Sequence, residues 1–273
     1  MTKEGLSNSG LGHELFDRRL VRLNRKRSKK NLHLYNFLYH EIAERIAEDL
    51  NFFNRDFEAI LEIGSRDGYL SDLVRKKKNP KFIFQSESYQ DAATNLLMDD
   101  EFLCFKPASF DLVLSNLNFH FINLIPQFLL QVKQILKPGG IFIASFFGEE
   151  NLKELSRILC DSENEIYGRV SPRMSPTIDI KTAANLLVKA GFSNSISDSE
   201  KIEVTYKDPM SLLQDLKMMG QGNALTKRSQ QFASKRFLKK ISENYEKLYS
   251  DEKGIVAGYE IVMMVGSVKM EGS

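Results

Sequence analysis

The feature that most restricts the fold is an alternation in the first half of the chain. Four short apolar runs, "EAILEI" (58–63), "KFIFQS" (81–86), "FDLVLSNL" (110–117) and "IFIASFFG" (141–148), are separated by helical stretches. "DGYLSDLVRKKK" follows the first, "YQDAATNLLM" (89–98) reads as a helix after the second, and "LIPQFLLQVKQIL" (124–136) precedes the fourth and stops at "KPGG". A strand apolar on both faces has to be covered on both faces. Alternation with helices therefore predicts a parallel sheet with helices above and below it, an α/β doubly wound fold of Rossmann-like type.

The second half reads more loosely. "KIEVTY" (201–206) and "AGYEIVMMVGSV" (257–268) are strand candidates, and the crossover between them is long enough to set them side by side. Helices are expected over 31–50, 151–167, 209–219 and 229–249, and over "IKTAANLLVKAGF", capped at Gly191. Prolines keep "GRVSPRMSP" extended or turning. This gives a basic N-terminal helical cap at 1–50 and a main domain at 51–273 with a lid insertion at 149–176, the Gly/Ser-rich residues 1–13 being frayed.

Charge and cysteine usage exclude several functions. A formal net charge of +2 argues against a general nucleic-acid binder. Cys104 and Cys160 lie far apart with no CxxC or Cys/His cluster, so no disulfide framework and no metal site is expected, and a reducing compartment fits best. The run "YEIVMMVGSV" is far shorter than the ~20 residues a membrane span needs. No secretory signal is expected, and Glu4 and Glu14 argue against a mitochondrial transit peptide. The stretch "FDRRLVRLNRKRSKK" (16–30) carries eight basic residues, either a solvated helix face or a docking surface for an acidic partner.

The loop "LEIGSRDGYL" (61–70) bears most directly on function. In an open parallel sheet, ligands bind beyond the carboxyl ends of the strands. Gly64 and Gly68 are four apart, and no G-x-G-x-x-G pattern is present. Glu62, two residues before the first glycine, would repel a phosphate and accept a hydrogen bond from an ammonium group. S-adenosylmethionine carries an ammonium, a sulfonium and no phosphate, so the loop favours it over NAD or ATP. Glu87 follows the second strand, where such sheets place an acid for the ribose hydroxyls. One acid of Asp99-Asp100-Glu101 suits the adenine amino group. Arg66 stands between the glycines, and three readings stay open: it points to solvent with negative φ, it clamps the carboxylate of the methionine part, or its Cβ crowds the pocket.

"EIGSRDG", "FDLVLSNL", "LKPGG" and "IFIASFFG", in this order and spacing, resemble the class I S-adenosylmethionine-dependent methyltransferases. "FDRRLVRLNRK", "DDEFLCF", "SPRMSP" and "DPMSLLQDLKMMGQGNAL" resemble a subgroup with two branches. These are the malonyl-[acyl-carrier-protein] methyltransferase of biotin synthesis and, more closely, a complex I assembly factor understood to act as a protein arginine hydroxylase. The resemblance implies a seven-stranded, mostly parallel sheet with an antiparallel last strand, and S-adenosylmethionine as cofactor. It places Glu62, Ile63, Gly64, Ser65 and Gly68 at the methionine part, Glu87 at the ribose, Asp99 with Asp100 at the adenine, and Ser115-Asn116 at the sulfonium. The implied partners are an acyl-carrier-protein or protein substrate, such as a respiratory complex I subunit. The implied compartment is the bacterial cytoplasm or the mitochondrial matrix. The family normally has glycine where Arg66 stands.

Three functions stay open: methyl transfer to a carrier-bound or small acid or a protein, hydroxylation of an arginine on a respiratory subunit, or a non-catalytic assembly role. Methyl transfer is an in-line displacement that rests chiefly on positioning; a carboxylate acceptor needs no base, whereas an amine or hydroxyl does. His120, after the fourth strand, is the candidate catalytic group, and Tyr35, Tyr39, His40, Arg169 and Arg173 are lid candidates.

Overall fold

The structure is a computed structural model and describes residues 14–90, 95–229 and 233–270. Eight strands form one sheet: β1 (Ala59–Ile63), β2 (Phe82–Glu87), β3 (Leu96–Leu97), β4 (Phe110–Ser115), β5 (Leu136–Phe147), β6 (Asn194–Tyr206), β7 (Ser250–Asp251) and β8 (Gly254–Ser267). Their order is β3-β2-β1-β4-β5-β8-β6, with the two-residue β7 attached to β8. Strands β1 to β5 pair in parallel, and β8 lies antiparallel between β5 and β6. The sheet is thus mostly parallel with an antiparallel last strand, as expected. Winding reverses between β1 and β4, which opens a crevice at their carboxyl ends.

Two-sided apolarity explains the layers. On β1, Ile60 faces one core while Leu61 and Ile63 face the other, and on β5 Ile141 and Ile143 oppose Phe142, Ala144 and Phe146. The first core is covered by α2 (Phe37–Asp49), α3 (Tyr69–Lys78), α5 (Lys153–Tyr167), α7 (Pro209–Met218) and α8 (Lys235–Tyr249). The second is covered by α4 (Ile125–Ile135) and α6 (Ile180–Lys189). The remaining helix, α1 (Arg18–Ser28), lies over the crevice. It starts at Asp17, whose carboxylate accepts from the Leu20 amide at 3.0 Å, and it turns Val21, Arg25 and Ser28 inward.

Four expectations need correction. The helix expected over 31–50 is broken: a 3₁₀ turn covers Lys29–Leu34, and α2 begins at Phe37. The break swings Leu32 into the core and leaves Leu34 exposed. Residues 96–97 of "YQDAATNLLM" form strand β3, and residues 91–94 lie outside those described. The Asn95 side chain extends the pairing there, accepting from the Gln85 amide (2.8 Å) and donating to the Ile83 carbonyl (3.1 Å). "KPGG" is more than a helix stop. It lies inside β5 as an irregularity, where the partner of Phe110 is Leu136 and that of Leu112 is Ile141, with Gly139 at φ +73°. Finally, β6 starts at Asn194, seven residues before the expected 201–206.

Candidate functional site

The cradle is built at the tips of β1, β2 and β4. Gly64 turns the chain with φ +71°, and an added Cβ there would sit 2.6 Å from the Asn118 side chain, so the position admits only glycine. Gly68, at φ +81°, caps α3. The amides of Gly64 and Ser65 both donate to the Ser86 carbonyl at 3.0 Å. A phosphate-binding loop would turn such amides toward its ligand; these are engaged by the sheet.

Three carboxylates converge on this loop, all buried: Glu62, Glu87 and Asp100. Glu62, beside the buried Ile63, accepts from the Ser71 hydroxyl, and burial pushes its carboxyl up to about 8 against that hydrogen bond. Glu87 Oε1 accepts from the Ser88 amide at 2.9 Å. Asp100 Oδ2 accepts from Asn118 Nδ2 at 3.2 Å. Glu87 Oε2, Asp100 Oδ1, Ser65 Oγ and Ser115 Oγ are buried without partners among the described residues. The Asn116 amide donates to the Tyr39 carbonyl (2.8 Å) and accepts from Ser145 Oγ (3.0 Å), which fixes it at the end of β4. Of the acidic triplet, only Asp100 turns inward. Asp99, expected at the adenine, is turned out of the cradle and pairs with Arg18 at 2.9 Å; Glu101 pairs with the same arginine at 3.3 Å.

Arg66 departs from the solvent-pointing reading. Its φ is +57°, not negative, and it is only 4 % exposed. Its guanidinium donates to the Met219 carbonyl (2.8 Å) and to Ser28 Oγ (3.1 Å) and lies 5.3 Å from the Tyr39 ring centre. These contacts hold a residue in left-handed backbone that costs a non-glycine roughly 1–2 kcal/mol.

Sequence reasoning missed Arg25. From α1 it reaches into the cradle, donating to Asp100 Oδ2 at 2.9 Å and standing 3.5 Å from Glu87 Oε1. Burial works against its charge, but the two carboxylates outweigh burial and hold the guanidinium above its ordinary pKa. The signal was available: Val21, Arg25 and Ser28 share one helical face, and Val21 is the apolar residue of that face. The basic run around it masked that signal.

A cavity of about 430 Å³ adjoins the crevice, walled by His120, Phe147, Glu149, Asn151, Arg157 and Gln221 among others. His120 bonds through Nε2 to Gln221 Oε1 (2.9 Å), and Gln221 Nε2 donates to Tyr39 Oη (2.8 Å). With the amide so oriented, Nε2 carries the proton and Nδ1 keeps its lone pair. Burial lowers the imidazole to about 4, so it is neutral at pH 7. His120 Nδ1 and Asn151 Oδ1 have no partner among the described residues. The cavity's cations are engaged: Lys153 by Glu150 (2.5 Å), Arg157 by Asp161 (3.6 Å) and Arg173 by Glu163 (2.7 Å). Of the other lid candidates, His40 pairs with Asp67 (2.8 Å) and Tyr35 accepts from Gln214 (2.9 Å).

The fold and its switch-point crevice are those of a methyltransferase. The Methyltransferase domain family matches residues 61–144. The YcgJ protein of Bacillus subtilis superposes with a TM-score of 0.55 at 12% identity, covering 85% of this chain and 100% of that one, which speaks to the fold alone. The "Arginine-hydroxylase NDUFAF5, mitochondrial" of Rattus norvegicus is 34% identical, covering 95% of this chain and 79% of that protein. A malonyl-[acyl-carrier protein] O-methyltransferase of Coxiella burnetii is 26% identical over 81% of this chain and 77% of its own length. The chain belongs to the class I S-adenosylmethionine-dependent methyltransferase family, in the branch that includes the NDUFAF5 proteins.

Proposed function

We propose that the chain binds S-adenosylmethionine in the acidic cradle and acts on an arginine side chain of a protein partner presented in the adjoining cavity. The observation that carries this is the chemistry of the unpartnered groups. Glu87 Oε2 and Asp100 Oδ1 are acceptors suited to ribose hydroxyls and an adenine amino group, and Glu62 suits the ammonium. Ser65 and Asn116 line the space at the glycine loop, and Ser115 is buried at the end of β4. Bound there, the cofactor supplies an electrophilic methyl group.

In the cavity, the groups left without partners are again acceptors: His120 Nδ1, Asn151 Oδ1 and the Glu149 carboxylate, which pairs with no cation among the described residues. Acceptors of this kind suit the N–H-rich edge of a guanidinium. A malonyl-type acid would need a cation; Arg173 is held by the buried Glu163, and Lys153 and Arg157 lean on the exposed Glu150 and Asp161. A guanidinium is protonated at pH 7 and must lose a proton to act as a nucleophile. The Glu149 carboxylate is the acceptor placed for it, and His120 Nδ1 can accept a hydrogen bond that orients the guanidinium.

The names of the relatives favour a second reaction at the same cavity, hydroxylation of the arginine. The matched relatives include mitochondrial and bacterial proteins, so the matrix or its bacterial counterpart is the proposed compartment. No helix among the described residues is long and apolar enough to cross a membrane.

Mass spectrometry of arginine-containing candidate subunits and of a carrier-bound acid, each incubated in air with the protein, a reductant and S-adenosylmethionine, tests the proposal. A gain of one methyl on arginine supports methyl transfer and a gain of one oxygen the second reaction. Modification of a carrier-bound acid with arginine untouched overturns the arginine reading.

A further inference from the structure

The cradle is filled by the chain itself. At the glycine loop only about 10 Å³ of free space remains, against the roughly 300 Å³ or more that a cofactor-sized ligand takes. Arg25 occupies the carboxylates expected to serve ribose and adenine, and Arg66 fills the loop side. Both are tied to one element: Arg25 belongs to α1, and Arg66 donates to Ser28, the last residue of α1. Arg25 is packed where it stands: its guanidinium lies 5.8 Å from the Phe121 ring centre, and a Cβ added at Gly220 would be in contact with its backbone, 3.4 Å from Arg25 Cα.

We infer that α1 is a latch on the cofactor site: with the helix closed, its Arg25 guanidinium holds Glu87 and Asp100 in the cofactor's stead, and cofactor entry requires α1 to withdraw. The ion pairs stabilise the closed state, because covering the cradle without a guanidinium would leave buried carboxylates uncompensated. Withdrawal of the helix removes Arg25 and breaks the Ser28 contact of Arg66, which keeps its hydrogen bond to the Met219 carbonyl. The cofactor's hydroxyl and amino donors then take the guanidinium's place on the same two carboxylates. This inference rests on the proposed cofactor site.

A disulfide across α1 tests it. Asn24 Nδ2 donates to the Gly222 carbonyl at 3.2 Å, and a Cβ at 222 would lie 3.6 Å from Asn24 Cγ, so Asn24→Cys with Gly222→Cys brings two thiols within bridging reach. In a Cys104→Ser, Cys160→Ser background, S-adenosylhomocysteine and S-adenosylmethionine are titrated into the oxidised and reduced forms, and separately into wild type and Arg25→Ala. The latch predicts at least tenfold weaker binding to the oxidised form, restored by reductant, and at least tenfold tighter binding to Arg25→Ala than to wild type. Equal affinity of oxidised and reduced forms overturns the latch and leaves the cofactor site standing. Absence of binding to wild type, Arg25→Ala and the reduced form alike overturns the cofactor site, and the latch with it. The locked form carries Arg25 intact, so the result does not depend on how well Arg25→Ala folds.

Discussion

Arg25 and Asp100, from α1 and from the turn after β3, meet at 2.9 Å inside the crevice where the sheet reverses its winding. Both are buried, and a pair so placed stands or falls as a unit, because removing one partner strands the other's charge. The first prediction follows: Asp100→Ala destabilises the fold by about 3–5 kcal/mol, and the Arg25→Ala, Asp100→Ala double variant costs clearly less than the sum of the two. A double-mutant cycle by denaturant unfolding measures the coupling; additive costs contradict the pairing.

Arg66→Gly relieves left-handed strain of roughly 1–2 kcal/mol and loses the hydrogen bonds to Met219 and Ser28. These effects offset, so the melting temperature should move by only a few degrees. Affinity for S-adenosylhomocysteine should rise about tenfold as the loop side opens. Weaker binding would instead identify Arg66 as a clamp on the cofactor's carboxylate.

Stability should depend on pH through two buried groups with opposite signs. Glu62 stands at about 8 in the fold against an ordinary 4.5. Its contribution is full below 4.5 and is lost as pH rises through about 8. His120 stands at about 4 against 6.5, so its contribution is present above 6.5 and lost as pH falls toward 4. The two trends oppose each other between 4.5 and 6.5, and only the Glu62 loss operates from 6.5 to 8. Thermal melts of wild type should fall over that upper interval, and those of Glu62→Gln should stay flat. An equal fall in both would contradict the assignment.

His120→Asn keeps a polar side chain near Gln221 and removes the free ring nitrogen. If His120 orients the acceptor through Nδ1, kcat should drop by about 10–100-fold with little change in KM for the cofactor. An unchanged kcat would return His120 to a packing role between Phe121 and Phe147, whose ring centres lie 4.4 and 4.8 Å away.

The outer face of α1 carries the exposed Arg19, Arg22 and Lys26, spaced to form one stripe. Arg18 does not belong to it, being held by Asp99 and Glu101. Charge reversal at Arg19 and Arg22 should slow association with an acidic protein partner and remove its salt dependence, measured by surface plasmon resonance at two ionic strengths. Association rates that ignore salt in the unmodified chain would contradict docking through this face.

Much of the fold could be read from the sequence because the central strands are apolar on both sides, a pattern that few other folds tolerate. The strand at Leu96–Leu97 could not, since its pairing depends on the Asn95 side chain meeting the Ile83 and Gln85 backbones, a tertiary contact with no local signature. Glu62, Glu87 and the Gly64 turn were legible because they follow strand ends directly. The choice between Asp99 and Asp100 was not, since it turns on which arginine of α1 each one meets, Arg18 outside the cradle or Arg25 within it. Arg25 looked like one more solvated charge; only the buried Val21 one turn away marks its face as inward.

The central claim is that buried carboxylates at the strand tips hold S-adenosylmethionine. Calorimetric titration of S-adenosylhomocysteine into Arg25→Ala, with and without Glu87→Ala, tests it most directly. The account predicts measurable binding to the first and affinity at least about 100-fold weaker in the second, the scale of two lost charge-assisted hydrogen bonds. Equal affinity in both, or no binding to either, would contradict it.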